Sequence, residues 1–413
     1  MHAYLIAILL FLLFAWALET LAELLNLRSL DRTLPQEFAD TFDGSTYATS
    51  QAYTQSQAKV EIVSSTVNTA LLLGFILLGG FAWLDGWLRG LGFSELVTGL
   101  IFFLLIGLAM EVLSLPVQLY RTFSLEERFG FNRTTPATFA ADKLKELLLS
   151  LIIGLPVMAG LLLFFQRFPA TGWLMAWGFI VLIMLIIQYV APIWILPLFN
   201  RFTPLPEGSV RDKIEELASR TGFQLKGVYV MDGSKRSSKS NAFFTGLGKK
   251  KRIALFDTLM DKHDPDELQA VLAHEVGHAK LGHVVKNLIL GIAKMGLLLF
   301  LVSLAISHQP LFEAFSVQQP SVYLGLVFFA LLYTPVSMLI SLAMNSVSRR
   351  FEYQADRFAA GTVGDPEPLI RALKKLARDN LSNLTPHALY VALHYSHPPL
   401  KQRIASLKSQ SPS

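Results

Sequence analysis

Seven stretches of this chain are too long and too apolar to be ordinary core elements of a water-soluble protein. They lie at roughly 3–22, 64–84, 96–117, 147–166, 173–197, 284–307 and 321–345. About 20 apolar residues suffice for a helix to cross the hydrocarbon core, so each run is expected to be a membrane-spanning helix. Composition agrees: 16% of the residues are charged, against about 25% in soluble domains. The first run has no basic segment before it and no small-residue cleavage site after it, so it is read as a retained span rather than a signal peptide. Cysteine is absent, which excludes disulfides, thiol nucleophiles and thiolate metal sites.

Arginine and lysine orient the spans. With the N-terminus outside, the inner segments 23–63, 118–146, 198–283 and 346–413 hold 32 basic residues, and the outer loops hold only Arg89 and Arg167. Positive charge in loops marks the cytoplasmic side. The net charge of +5 is therefore a topology signal, and no nucleic-acid partner is expected. The basic run Gly248–Arg252 reads as a solvated hairpin tip or a contact with anionic headgroups.

The water-facing chain falls mainly in 198–283 and 346–413. Residues 209–221 have helical period, 226–231 read as a strand, and 241–246 with 252–257 read as a β-hairpin. Asp264, Pro265 and Glu267 form a helix-start signal. No proline follows until Pro310, so one helix is expected to run into the sixth span. A second is expected to continue from the seventh span to a C-cap at Gly361. The chain thus divides into 1–197 (spans one to five), 198–283, 284–345 (spans six and seven) and 346–413. Its fold class is an α-helical polytopic membrane protein with a cytosolic, mainly α part carrying a small β-hairpin. Lys286, Asn287, Lys294 and Glu111 fall inside spans and are expected to face the protein interior or a water-filled cavity, with snorkelling an alternative for Lys286.

The chemistry sits in His274-Glu275-Val276-Gly277-His278. At about 100° per residue, histidines four apart share a helix face and can meet on one metal. Glu275 lies beside them, placed to act on water without being a ligand. A catalytic zinc needs a third protein ligand. The position where an extended motif would carry a third histidine is Val284, so the ligand must come from elsewhere. Glu352 is the best candidate, with Asp356 one turn on to orient a ligand histidine. The plain alternative pairs Glu352 and Asp356 with Arg349, Arg350 or Arg357. A further histidine near the C-terminus could stabilise an oxyanion, but chain position does not choose among His387, His394 and His397. If the helix is unbroken, His274 lies about 15 Å from the sixth run.

Taken together, the stretches 43–59, 126–135, 197–208, 240–246 (SNAFFTG), 273–283 (AHEVGHAKLGH), 351–356 (FEYQAD) and 396–404 (SHPPLKQRI) resemble the CAAX prenyl protease 1 family of integral-membrane zinc metalloproteases. The resemblance implies seven membrane helices enclosing a chamber with one zinc ion at its cytosolic end. It implies His274, His278 and Glu352 as ligands, Glu275 as general base, His397 and Arg403 in the site and Asp356 supporting a ligand. It also implies that an edge strand at Asn241, Ala242 and Phe243 holds substrate backbone by strand addition. The expected partners are peptide or protein substrates, prenylated ones included, and membrane lipid. Quality control of membrane proteins is the alternative role; a transporter, a channel or an inactive scaffold with a structural zinc is the alternative class. Short outer loops and the lack of an ER-retrieval tail favour a prokaryotic plasma membrane over the ER.

Overall fold

The computed structural model describes residues 2–223, 227–245 and 252–409. Its first part is helical: α1 (Ala3–Arg28), α2 (Gly44–Leu77), α3 (Gly80–Arg89), α4 (Glu95–Tyr120), α5 (Pro136–Leu149), α6 (Leu155–Arg167), α7 (Gly172–Val190) and α8 (Leu196–Phe199). Short π-helical turns join α5 to α6 and α7 to α8, so each pair forms one span. The aqueous part follows with β1 (Phe202–Pro204), α9 (Ser209–Thr221), β2 (Val228–Met231), β3 (Ala242–Thr245), β4 (Arg252–Phe256), α10 (Asp257–Met260) and α11 (Pro265–Lys280). The chain then re-enters the membrane region with α12 (His283–Ala305), α13 (Gln309–Ala314), α14 (Val322–Leu332) and α15 (Thr334–Val363). It closes with α16 (Glu367–Asp379), α17 (Ala388–His394) and α18 (Leu400–Lys408).

Among the described residues, six helices or helix pairs are long and apolar enough to cross a membrane. The bent pair α14–α15 makes a seventh if taken as one span. That pair turns by 61° at Tyr333, just before Pro335. A proline near the start of a helix is tolerated there but cannot continue a helix arriving from upstream. The apolar windows of the six spans are only 0–17% buried. Helices in a solid bundle would bury far more, so these spans form walls rather than a filled core.

One dense cluster ties spans together and another forms the core of the aqueous part. One gathers Phe81, Leu88, Phe102, Phe312, Phe315 and Phe328, with the Phe315 and Phe328 rings stacked at 3.8 Å. Buried Asp85 there accepts from Arg89 at 3.0 Å and from the Tyr323 hydroxyl. The other joins Phe38, Phe42 and Tyr47 to α9, β4, α11, α16 and α18. Glu111, in the third span, pairs with Lys143 at 3.2 Å. The Lys286 ammonium lies 5.6 Å from the centre of the Phe351 ring, while Asn287 and Lys294 are exposed.

The sheet order is β1-β2-β4-β3. β3 and β4 form the expected antiparallel pair, Phe243 opposite Ala254, and β2 adds a parallel pairing with β4. β3 is thus an edge strand, and it lies against α11. The basic run that should form the hairpin tip lies, up to Lys251, outside the described residues.

Three boundaries differ from the sequence reading. The run 64–84 is split where Gly79 adopts φ 71° between α2 and α3. The helix begun at Asp264 does not continue into the sixth span: Gly282, at φ 70°, ends α11 and starts α12. A single left-handed glycine stops a helix as firmly as a proline. Gly361 is helix interior, and Gly364, at φ 87°, is the cap.

α11 and α15 make the most extensive helix–helix contact among the described residues. Small side chains allow it: Ala270, Ala273 and Gly277 on one helix, Ala355 and Ala359 on the other, all buried. A Cβ on Gly277 would sit 3.1 Å from Phe358 Cδ1 and 3.3 Å from Ala355 Cα. Gly277→Ala is therefore expected to cost about 1–3 kcal/mol by overpacking. Gly361→Ala, where a Cβ meets open space, should be stabilising by up to about 1 kcal/mol. Thermal unfolding of the two variants in detergent checks both.

Candidate active site

The start of α11 is pinned by a capping box. Asp264 accepts from the Asp266 and Glu267 amides at 3.0 and 2.9 Å, and Glu267 accepts from the Asp264 amide at 3.3 Å. Buried Glu267 is also paired with Lys375 at 2.8 Å. These contacts hold the helix in one rotational setting, and that setting turns His274 and His278 toward α15.

The two Nε2 atoms of His274 and His278 are 3.1 Å apart. Glu352 Oε2 lies 3.4 Å from the first, and Glu352 Oε1 lies 3.3 Å from the second. This is the one group among the described residues whose donor atoms could share a metal ion. Two tests show that a metal fits. Ligands at about 2.0–2.1 Å in a tetrahedron are about 3.3–3.4 Å from one another, close to these separations. Glu352 Oε2 is also buried without a hydrogen bond; its nearest charged neighbour besides His274 is Arg403 Nη1 at 3.7 Å, which leaves the oxygen incompletely compensated. Two imidazoles and a carboxylate are a known catalytic zinc set.

Supporting groups surround the donors. Asp356 Oδ1 is 2.9 Å from His274 Nδ1, and Arg403 grips the same carboxylate with Nε at 2.8 Å and Nη2 at 2.6 Å. Burial works to lower His274, but the Asp356 and Glu352 carboxylates outweigh it and hold the imidazole up to about 9. Burial lifts the Glu275 carboxyl above its usual range, with the His274 and His278 imidazoles opposing. Glu275 is half-buried and has no hydrogen bond or ion pair among the described residues, which leaves its carboxylate free.

His397 Nε2 lies 3.4 Å from Glu352 Oε1, and its side chain is 62% exposed. Its rivals are engaged elsewhere. His387 caps α17 through the Leu389 amide at 3.2 Å, and His394 pairs with Glu19 at 2.9 Å. Among the described residues neither Glu352 nor Asp356 pairs with Arg349, Arg350 or Arg357; their ion-pair partners are the histidines of the site and Arg403, and Arg349 donates to the Val391 and Tyr395 carbonyls. Arg403 is 9% exposed and committed to Asp356, so it orients a carboxylate rather than facing open space. Asn241 caps the edge strand, its Oδ1 accepting from the Ala242 amide at 2.8 Å; Ala242 and Phe243 follow on β3.

His283 lies one residue before Val284, the position where an extended motif would carry a third histidine. The structure places its Nδ1 3.0 Å from His278 Nδ1 and its Nε2 2.9 Å from Gln354 Oε1, with its ring stacked on Phe351 at 4.2 Å. The helix break at Gly282 makes this possible. His283 is also the first residue of α12, so His278 touches the helix that forms the sixth span. The signal available beforehand was a histidine opening an apolar run, where its polar ring needs a partner.

Two consequences are measurable. His274→Ala and Glu352→Ala should each abolish stoichiometric metal, read by elemental analysis of the purified protein. Asp356→Asn should weaken metal affinity by about 10–100-fold, read by chelator competition.

Comparison with known proteins follows the same lines. Residues 23–201 match the family model described as CAAX prenyl protease N-terminal, five membrane helices, and residues 204–411 match peptidase family M48. The chain is 37% identical to a rice "CAAX prenyl protease 1 homolog", covering 98% of this chain and 97% of that one. It is 35% identical to the human homologue, covering 96% and 94%. The crystal structure of S. mikatae Ste24p superposes with a TM-score of 0.93 at 33% identity, covering 98% of this chain and 99% of that one. These relatives are eukaryotic, and nothing supports the expected prokaryotic plasma membrane. A multi-pass membrane frame, a cluster of metal-ligand type and matches along nearly the whole length thus agree: the chain belongs to the M48 peptidases, as a CAAX prenyl protease 1 homologue, and is a membrane-embedded metalloprotease.

Proposed function

We propose that this protein is a zinc endopeptidase that cleaves peptide bonds near the C-terminus of prenylated proteins, at the inner surface of its membrane. The observation that carries the reading is the convergence of His274, His278 and Glu352, with an unpaired Glu275 beside them, on the first residue of a membrane span. A substrate whose lipid stays in the bilayer can present its peptide only at such a site. The names of the relatives supply the prenyl specificity.

His274, His278 and Glu352 would hold the zinc, which supplies Lewis acidity and a more acidic water. Glu275 takes a proton from the attacking water and passes it to the leaving amine. His397, at the exposed edge of the cluster, donates to the oxyanion that forms on the scissile carbonyl. Asp356 and Arg403 keep His274 in one orientation. Substrate backbone adds to the sheet along Asn241, Ala242 and Phe243, an edge already beside α11.

The basic residues of the inner segments support an N-terminus outside and a cytosolic site. The chain has no cysteine, so single introduced thiols report topology directly. In sealed membrane vesicles with the cytosolic face outward an impermeant maleimide should label Lys401→Cys and spare Leu91→Cys; the reverse pattern would invert the orientation.

Glu275→Gln should retain metal and lose at least about a thousandfold in cleavage of a prenylated reporter peptide. The wild type should be inhibited by o-phenanthroline and restored by zinc. Near-normal cleavage by Glu275→Gln would sink the assigned chemistry. Equal rates on prenylated and unprenylated peptides would remove the lipid from the substrate description.

A further inference from the structure

A second polar cavity, of about 510 Å³, lies apart from the metal cluster, between α1, α2, Arg121 and α17. Its size is that of a small-ligand pocket. Three carboxylates line it: Glu19 and Glu23 from α1 and Glu61 from α2. Two are already matched. Glu19 pairs with His394 at 2.9 Å, and Glu61 pairs with Arg121. Glu23 is only 7% exposed, yet it has neither a hydrogen bond nor an ion pair among the described residues. The Thr20 hydroxyl, also on the cavity wall, is buried without a partner.

A buried carboxylate without a partner is unfavourable, and with Glu19 and Glu61 matched by His394 and Arg121 the charge of Glu23 is the one left over on the cavity wall. The cavity therefore selects a cation. A metal ion does not suit it, because among the described residues only His274, His278 and Glu352 bring their donor atoms close enough to share one. What suits it is a charge on a long stem, an ammonium or guanidinium group that reaches Glu23 while its carbon chain fills the remaining space.

The place of the cavity says where such a group comes from. Tyr390 and His394 on its wall belong to α17, and His394 is three residues before His397. Three residues span at most about 11 Å. α17 is also tied to α15, the helix of Glu352: Asn345 donates to the Leu393 carbonyl at 2.7 Å and Arg349 to the Tyr395 carbonyl at 2.7 Å. The cavity and the cluster thus share a wall on which His394 and His397 are at most about 11 Å apart. We infer that this cavity is a specificity subsite in which Glu23 receives a lysine or arginine side chain of the peptide substrate, within roughly five residues of the scissile bond. The inference rests on the peptidase reading above and adds a charge preference to it.

The test uses the full-length, zinc-loaded protein in nanodiscs and a reporter peptide in which single positions carry lysine, norleucine or glutamate. At one position wild type should prefer lysine to norleucine by at least tenfold in kcat/KM. In Glu23→Gln that ratio should fall to about one, with the loss for the lysine peptide in KM and not kcat. Glu23→Lys should favour the glutamate peptide. An unchanged ratio in Glu23→Gln, or an equal loss on both peptides, would overturn the inference. Spermidine tests the other source of the same chemistry: if it binds wild type but not Glu23→Gln while no peptide position shows a charge preference, the cavity holds a free polyamine and the substrate assignment is wrong. Binding of the fluorescent lysine and norleucine peptides to Glu275→Gln, with and without Glu23→Gln, needs no turnover. It separates failure of this subsite, seen as equal affinities for the two peptides, from failure of the peptidase reading, seen as absent cleavage of every peptide by the wild type.

Discussion

The close crossing of α11 and α15 is the contact on which everything else in this protein depends. Neither helix alone carries a complete set of candidate ligand groups. His274 and His278 are on one, and Glu352 and Asp356 are on the other. Imidazole and carboxylate side chains are short, so their tips meet only if the backbones approach closely. Gly277 and the alanines facing it permit that approach, and Phe358 and Ala355 leave no room for an added methyl group. The glycine inside the HEVGH segment is thus a packing requirement set by the partner helix.

Electrostatics then explains why the cluster has so many members. Glu352, Asp356, His274 and Arg403 are all buried, and each buried charge needs a compensating one. Arg403 neutralises Asp356, Asp356 steadies His274, and His274 and His278 face Glu352. Glu352 Oε2 has no hydrogen bond, and Arg403 Nη1 reaches it only at 3.7 Å. A cation at that point would complete the set. Glu23 poses the same problem in a second cavity, where the missing partner must be extended rather than compact.

The break at Gly282 matters as much as the crossing. Had α11 continued straight into α12, His278 and His283 would point to different sides of one rod. The left-handed glycine lets the sixth span begin at His283, beside His278. A peptidase site is thereby brought against the membrane part of the same chain. The 61° bend between α14 and α15 lets the seventh span deliver Glu352 to the same place.

The spans, the helix 209–221, the β3–β4 hairpin and the capping box at Asp264 were legible from residue order, because hydropathy, period and capping act over one or a few turns. The HEVGH spacing showed a pair of candidate ligands for the same reason, since two residues four apart on a helix share a face wherever the helix goes. What order could not decide is which of three C-terminal histidines comes near Glu352, whether Arg403 faces solvent or Asp356, and that His283 supports His278. It also misjudged the helix ends at Gly79, Gly282 and Gly364, because a glycine continues a helix or takes a positive φ according to what packs on either side. Local geometry is set by neighbours in sequence; the meeting of residues 274, 352 and 403 is set by the packing of helices far apart in the chain, and only the tertiary structure holds that information.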